Sequence, residues 1–195
     1  MEFFGGVDIG SATTKVAVID VADKMAGYSI VPTGADGNKA AAECLNRISK
    51  SLACNVVDSL KYVIATGYGR ERVSFASETV SEISCHARGA FSIFPEVRTV
   101  IDIGGQDSKV IAVGEDGWPV NFAMNDKCAA GTGRFLEVMS RVLEIDLDKM
   151  SRLSLQSEAP AQVSSMCTVF AESEVISLMS EGRKLEDVVA GIHQS

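Results

Sequence analysis

The alternation of apolar and polar residues along the chain predicts a mixture of short strands and helices. Residues 7–20 and 101–114 each contain two apolar runs around a tight polar turn, a pattern typical of a β-hairpin. Other segments repeat apolar side chains every three to four residues, as amphipathic helices do. The predicted strands outside the first hairpin lie at 27–31, 61–66, 98–103, 108–113 and 119–123, and the predicted helices at 38–53, 78–93, 132–144, 168–180 and 184–193.

The two predicted hairpins are similar to each other in sequence. The first reads VDIGSATTKVAVID and the second IDIGGQDSKVIAVG, so that an Asp, a Gly and a Lys recur at the same spacing. Two copies so far apart indicate a duplicated domain and not a short-period repeat array. We therefore predict an α/β protein with two related domains, residues 1–95 and 96–195, each with a mixed sheet that begins with a hairpin.

Composition narrows the function classes. The chain has 26 acidic and 18 basic residues and no basic run, which argues against a nucleic-acid partner. It contains no apolar stretch of about 18 residues, and its first residues lack the basic and apolar regions of a signal peptide. We expect no membrane association and a cytoplasmic location.

The turn of the first hairpin has the composition of a phosphate-binding loop. A glycine permits a tight turn and close approach to a ligand, and successive backbone N–H groups in such a turn form an anion-binding nest. Hydroxyl groups and a lysine would add donors and charge, and an aspartate at the strand end suits water-mediated contact with Mg²⁺. The predicted site residues are Asp8, Gly10, Ser11, Ala12, Thr13, Thr14 and Lys15.

The second hairpin turn repeats this design with Asp102, Gly104, Gly105 and Gln106. Gln106 is a candidate for orienting a water molecule toward a phosphoryl group, and the two aspartates are candidate catalytic residues. The alternative is that both segments are ordinary hairpin turns, and neither contains a Walker A or dinucleotide-binding fingerprint. Their repetition favours a two-sided clamp on a nucleotide.

Two of the five cysteines precede predicted helices. Cys128 is followed by a small-residue loop in which Gly131 and Gly133 would leave N–H groups free at a helix start, and Cys167 directly precedes another helix. Helix N-termini favour thiolates. An odd cysteine count without a CxxC pair makes a disulfide framework or a self-contained zinc site improbable. Spacing alone favours the interpretation that both cysteines are small buried apolar residues.

Longer motifs indicate a family. The DxGS…K hairpin in two copies resembles the ATPase superfamily of actin, hexokinase and the heat-shock chaperones. The segments NDKCAAGTG at 125–133 and CTVFAESEV at 167–175 resemble the 2-hydroxyacyl-CoA dehydratase activases (component A) and the ATPase subunits of benzoyl-CoA reductase. This resemblance implies that Cys128 and Cys167 ligate one [4Fe–4S] cluster shared by a homodimer. It also places Gly131, Thr132 and Gly133 beside Mg-ATP or Mg-ADP.

The same resemblance implies a function. A ferredoxin or flavodoxin would supply an electron to the cluster, and ATP hydrolysis would drive its transfer to a 2-hydroxyacyl-CoA dehydratase (component D) or a related reductase. A small-molecule kinase and a non-catalytic nucleotide-binding regulator are the alternatives. The sequence stops at Ser195 within a predicted helical stretch and before the adenosine-contacting glycine motif of the superfamily. We therefore expect the second domain to be incomplete.

Overall fold

A computed structural model describes residues 2–164 and 167–195. Its strands are β1 (Phe3–Ile9), β2 (Thr13–Asp20), β3 (Met25–Pro32), β4 (Leu60–Thr66), β5 (Glu78–Thr79), β6 (Thr99–Ile103), β7 (Ser108–Val113) and β8 (Pro119–Asn125). Its helices are α1 (Gly37–Leu52), α2 (Glu82–Ile93), α3 (Gly133–Val142), α4 (Leu147–Ser154), α5 (Thr168–Ser180) and α6 (Leu185–Gln194). The expected α/β class is confirmed.

A mixed five-stranded sheet forms the first half of the fold. Its strand order is β3-β2-β1-β4-β5, with β1 antiparallel to β2 and parallel to β4. Alternate side chains, such as Val7 and Val16, enter a core that α1 completes with Cys44 and Ile48. The Asp36 side chain caps α1 by accepting hydrogen bonds from two of its first N–H groups. Cys44 is fully buried, as expected for a packing residue.

A second sheet has the order β6-β7-β8. Ile111 and Val113 of β7 pack with Ala87 of α2 in a small apolar core. The N-terminal end of α2 differs from the prediction of a helix starting at residue 78. Glu78 and Thr79 instead form strand β5, parallel to β4, and Ser81 caps the helix that follows. Pairing with a distant strand thus overrides the local helical pattern.

Helices α3 to α6 share a third apolar core. Its fully buried members include Met139 of α3, Met150 of α4, Val175 of α5 and Ile192 of α6. Helix α4 was not predicted, although Leu147, Met150 and Leu153 have helical spacing. A helix of eight residues is too short for the spacing of its apolar side chains to identify it in the sequence.

Contacts divide the chain into two compact units. One contains residues 1–100 with 111–122, and the other contains residues 101–110 with 123–195. The predicted domains 1–95 and 96–195 stay a prediction. Within the described ranges, no helix has the length and apolar character that a membrane crossing requires.

Candidate functional site

The turn between β1 and β2, called turn 1 here (residues 8–15), has a carboxylate and a lysine at its base. Asp8 lies directly opposite Lys15 in the strand register. The Lys15 Nζ donates to Asp8 Oδ2 at 2.9 Å. The Gly10 N–H donates to the Thr13 carbonyl at 3.1 Å, and a Cβ on Gly10 would lie 2.9 Å from that oxygen. Glycine is therefore required for this tight turn.

Turn 2 (residues 102–109), between β6 and β7, repeats these contacts. The Gly104 N–H donates to the Asp107 carbonyl at 2.8 Å. The Lys109 Nζ donates to Asp102 Oδ2 at 3.2 Å. The similarity seen in the two sequences thus corresponds to one local hydrogen-bonding arrangement formed twice.

The two lysines nevertheless differ in environment. The Lys15 side chain is 43% exposed, whereas the Lys109 side chain is only 3% exposed. Lys109 also contacts Asp107 Oδ1 at 2.7 Å, so two carboxylates neutralise its buried charge. Lys15 can therefore reach an external anion, while Lys109 holds the carboxylates of its own turn.

Thr14 does not present its hydroxyl to a ligand, contrary to the expectation from sequence. Its side chain is fully buried, and its Oγ1 lies 2.9 Å from the Thr33 Oγ1. Thr33 Oγ1 donates its single proton to the Gly10 carbonyl at 2.7 Å, so Thr14 must be the donor in the bond between the hydroxyls. The Thr33 N–H also donates to the Ala12 carbonyl. Thr33, which sequence reasoning missed, therefore holds turn 1 in place.

A glycine-containing loop after β4 contacts the end of β1. Gly67 has a φ of +90°, and a Cβ there would lie 2.3 Å from Asp8 Oδ1. The Gly69 N–H donates to the Ile9 carbonyl at 2.9 Å. Only glycine at residue 67 therefore allows the loop to approach the Asp8 carboxylate so closely.

Cys85 of α2 lies near the same carboxylate. Burial raises the pKa of the Cys85 thiol, the charges of Asp8 and Glu82 raise it further, and contact with the Thr66 hydroxyl partly offsets these effects. The thiol is therefore protonated at neutral pH. A thiol in this form is a poor nucleophile and a poor metal ligand.

The remaining predicted residues of turns 1 and 2 differ in exposure. Ser11, Ala12 and Gln106 are exposed, and Thr13 and Gly105 are partly exposed. They are thus accessible from outside the turns.

The segment that contains Cys128, called the cysteine loop here (residues 126–132), is held at both ends. The Asn125 Nδ2 donates to the Cys128 carbonyl at 3.0 Å and to the Ala130 carbonyl at 3.2 Å. The Ser108 hydroxyl of turn 2 donates to the Gly131 carbonyl. Thr132 is buried, and its hydroxyl donates to the Ala129 carbonyl instead of facing a ligand.

The N–H groups at the start of α3 are not free, contrary to the expectation from sequence. Those of Gly133 and Arg134 donate to the Gly104 and Gly105 carbonyls, each at 2.9 Å. Turn 2 therefore supplies the partners that the first N–H groups of a helix lack within the helix itself. This pairing is long-range, and a sequence pattern gives no sign of it.

Cys167 occupies the N-cap position of α5, as predicted, whereas Cys128 lies four residues before the N-cap of α3. Both cysteines are half-buried, and neither belongs to the apolar core of α3 to α6. The Glu174 side chain accepts a hydrogen bond from the Ser164 N–H at 2.6 Å. Ser165 and Met166, which directly precede Cys167 in the sequence, lie outside the described residues.

No group of three or more Cys, His, Asp or Glu side chains within residues 2–164 and 167–195 is arranged to hold a metal ion.

These features define an α/β protein that contains a carboxylate–lysine hairpin turn twice and two cysteines near helix starts. Residues 6–195 match the model of one protein family. The chain belongs to the BadF/BadG/BcrA/BcrD ATPase family.

Curated and solved relatives agree with this assignment. The chain is 46% identical over 190 residues to the 2-hydroxyisocaproyl-CoA dehydratase activator of Clostridioides difficile, covering 97% of this chain and 71% of the relative. The crystal structure of component A of the Acidaminococcus fermentans (R)-2-hydroxyglutaryl-CoA dehydratase matches with a TM-score of 0.92 and 43% identity, covering 99% of this chain and 74% of that one.

A second solved relative was determined with a nucleotide analogue. It is the Clostridium difficile activator of 2-hydroxyisocaproyl-CoA dehydratase with bound ADPNP. The match has a TM-score of 0.90 and 44% identity, and covers 98% of this chain and 70% of that one. The fold of this chain is thus that of the activator structures.

Proposed function

We propose that this chain is an ATP-dependent activator of a 2-hydroxyacyl-CoA dehydratase. It hydrolyses ATP to drive one-electron transfer to the dehydratase. The observation that supports this proposal best is the carboxylate–lysine turn formed twice in a chain closely similar to named dehydratase activators. The partner is a dehydratase or a related reductase, the electron donor is a ferredoxin or flavodoxin, and the protein acts in the cytoplasm.

Turn 1 contributes charge and backbone donors to the proposed nucleotide site. Lys15, with its exposed side chain, contacts phosphate oxygens, and the N–H groups of Ser11, Ala12 and Thr13 are the proposed backbone donors. Gly10 contributes the tight turn, since its own N–H donates to the Thr13 carbonyl. Asp8 holds Mg²⁺ through water. Thr14 acts indirectly, through the bond of its hydroxyl to Thr33.

Turn 2 contributes a second carboxylate and an exposed amide side chain. Asp102, paired with the buried Lys109, is a further contact to hydrated Mg²⁺. The N–H groups of Gly105 and Gln106 are the proposed backbone donors, and Gly104 contributes the tight turn through its bond to the Asp107 carbonyl. The Gln106 side chain orients the attacking water. We further propose that residues 1–95 and 96–195 are related domains of the actin type.

The cysteine positions fit a shared iron–sulfur cluster. Cys128 and Cys167 are half-buried and outside the apolar core of α3 to α6, so their side chains are partly accessible from the surface. A [4Fe–4S] cluster requires four thiolates, which two copies of the chain would supply. When bound, it stores and releases one electron. Helix α5, whose N-cap is Cys167, exposes the side chains of Val169, Phe170 and Ile176. These side chains offer an apolar surface for a second copy of the chain.

The test is Mg-ATP binding by the variant Lys15→Met. We expect an affinity loss of about tenfold or more, because a hydrogen bond to a charged group contributes about 1.5–3 kcal/mol. Equilibrium dialysis measures the affinity, and phosphate release measures hydrolysis.

The matched control is Lys61→Met. Lys61 also pairs with a carboxylate, Glu2, on an exposed surface of the same sheet, but it lies outside the turns. Its variant should bind Mg-ATP as the unaltered chain does. Absence of Mg-ATP binding by the unaltered chain, or equal losses in both variants, would refute the proposal.

A further inference from the structure

Three hydrogen bonds connect turn 2 to the end of the cysteine loop and the start of α3. The Ser108 hydroxyl donates to the Gly131 carbonyl. The N–H groups of Gly133 and Arg134 donate to the carbonyls of Gly104 and Gly105. All of these residues belong to one compact unit. The cysteine loop is thus attached to the turn through both a side chain and the backbone.

The geometry of the peptide bond gives this attachment a second consequence. In a planar trans peptide, the carbonyl of one residue and the N–H of the next point in opposite directions. Because the Gly104 and Gly105 carbonyls point toward α3, the N–H groups of Gly105 and Gln106 point away from it. An anion bound by those N–H groups would reorient the same rigid peptide planes that hold the start of α3.

The backbone of the cysteine loop connects the start of α3 to Cys128. Asn125 binds the carbonyls of Cys128 and Ala130, which leaves the short segment between them little freedom to move independently of Gly131. A displacement of the Gly131 carbonyl would therefore move Cys128 as well.

We propose that Ser108 and the Gly104 and Gly105 peptide groups form a latch between turn 2 and the cysteine loop. Ser108 is then a positioning residue for Cys128, and phosphate bound at turn 2 changes the accessibility of the Cys128 thiol. This second part rests on the proposed nucleotide binding. The latch itself is a property of the chain without ligand.

The latch is tested by alkylation of the full-length chain, without added iron, using iodoacetamide. Peptide mass spectrometry resolves the labelling rates of Cys128 and Cys167. The variant Ser108→Ala should label about fivefold faster at Cys128, the change expected from loss of one hydrogen bond of typical net strength. Cys167 lies in the same compact unit and reports general opening, so its rate should stay unchanged.

The matched control is Ser154→Ala, which removes another serine hydroxyl that donates to a carbonyl within the same unit, at a site on α4. It should label as the unaltered chain does. Saturating Mg-ADP, with occupancy verified by equilibrium dialysis, should change Cys128 labelling by the same factor in the unaltered chain and in Ser154→Ala. The change should be smaller in Ser108→Ala, which keeps only the two backbone bonds of the latch.

The outcomes separate the two proposals. Equal Cys128 rates in Ser108→Ala and the unaltered chain without nucleotide would overturn the latch, as would equal increases at Cys128 and Cys167. Bound Mg-ADP without any change at Cys128 would overturn the coupling. Failure of Mg-ADP to bind would refute both the proposed function and the coupling, while the ligand-free comparison would still decide the latch.

Discussion

At the scale of single residues, the hydroxyl pair of Thr14 and Thr33 determines the shape of turn 1. The Thr33 hydroxyl donates its only proton to the Gly10 carbonyl, and the Thr14 hydroxyl donates its proton to the Thr33 oxygen. Thr14 is fully buried in β2. A buried hydroxyl without a hydrogen-bond partner there lowers the free energy of unfolding by about 1–3 kcal/mol. The pair therefore links the conformation of the turn to the stability of the sheet.

Thr33→Val keeps the side-chain shape but removes its hydroxyl. We expect a lower thermal midpoint, because Thr14 loses its partner, and weaker Mg-ATP binding, because Gly10 loses its anchor. Thr33→Ser should retain both properties. Differential scanning fluorimetry and equilibrium dialysis measure the two effects.

The double variant Thr14→Val/Thr33→Val separates the effect of the Thr33 hydroxyl on the stability of the fold from its effect on the position of Gly10. Replacing both hydroxyls by apolar groups of similar shape removes the unpaired donor, so much of the stability should return. The nucleotide affinity should stay low, since the Gly10 carbonyl still lacks its donor. If affinity returned together with stability, Thr33 would have only a structural role.

At the scale of elements, the first turn of α6 holds the segment that precedes the Cys167 motif. The Asp187 carboxylate accepts hydrogen bonds from the Ser157 hydroxyl at 2.7 Å and from the Ala159 N–H at 3.2 Å. The Asp187 carbonyl accepts another from Ala161. The bond from Ser157 and those from backbone N–H groups hold the pKa of Asp187 below its ordinary value. The ionised Asp187 side chain, in the first turn of α6, thus helps to hold the loop of residues 157–161 in place.

Asp187→Asn should lower the thermal midpoint slightly at pH 7, and the difference from the unaltered chain should shrink in acid. The folded pKa lies below the unfolded one, so the carboxylate stabilises the fold fully above the unfolded pKa. This stabilisation is lost as the pH falls through the lower folded pKa. Circular dichroism melts between pH 7 and pH 3 measure it.

Glu186→Gln is the control for the helix dipole, because Glu186 lies in the same first turn of α6. If both variants lowered the thermal midpoint by the same amount and with the same pH dependence, the effect would come from the helix dipole. The bonds from Ser157 and Ala159 would then not explain it.

At the scale of the whole molecule, the proposed iron–sulfur site takes two thiols from each of two copies of the chain. We expect a brown dimer with about four irons per two chains after anaerobic reconstitution. Cys128→Ala and Cys167→Ala should each lose the visible absorption and the iron. Light scattering, iron analysis and absorption spectra measure these properties.

Cys85→Ala is the matched control, since Cys85 is also a half-buried cysteine but lies on α2, in the other compact unit. It should retain the iron. Unchanged iron content in Cys128→Ala and Cys167→Ala would exclude these residues as ligands, and a monomer that retains four irons would exclude the shared site.

Much of the fold was predictable because its signals are local. Apolar spacing located both hairpins and α1, α3, α5 and α6, each within a few residues of its observed bounds. The prediction was wrong where short segments depend on distant partners. Strand β5 has only two residues and pairs with β4, and α4 has only eight residues around one fully buried side chain, Met150.

The sequence by itself determined the two similar turns, the aspartate and lysine at their bases, and the N-cap position of Cys167, because these follow from residues close together in the chain. Tertiary structure decided which of these groups remain accessible. It buried Thr14 against Thr33, enclosed Lys109 between two carboxylates, and used the first N–H groups of α3 to bind turn 2. The hydrogen bonds of Thr14 and of the α3 N–H groups go to residues about 20 to 30 positions away, and local composition does not encode such partners. Lys109 pairs with carboxylates of its own turn, and its burial is what the local sequence did not indicate.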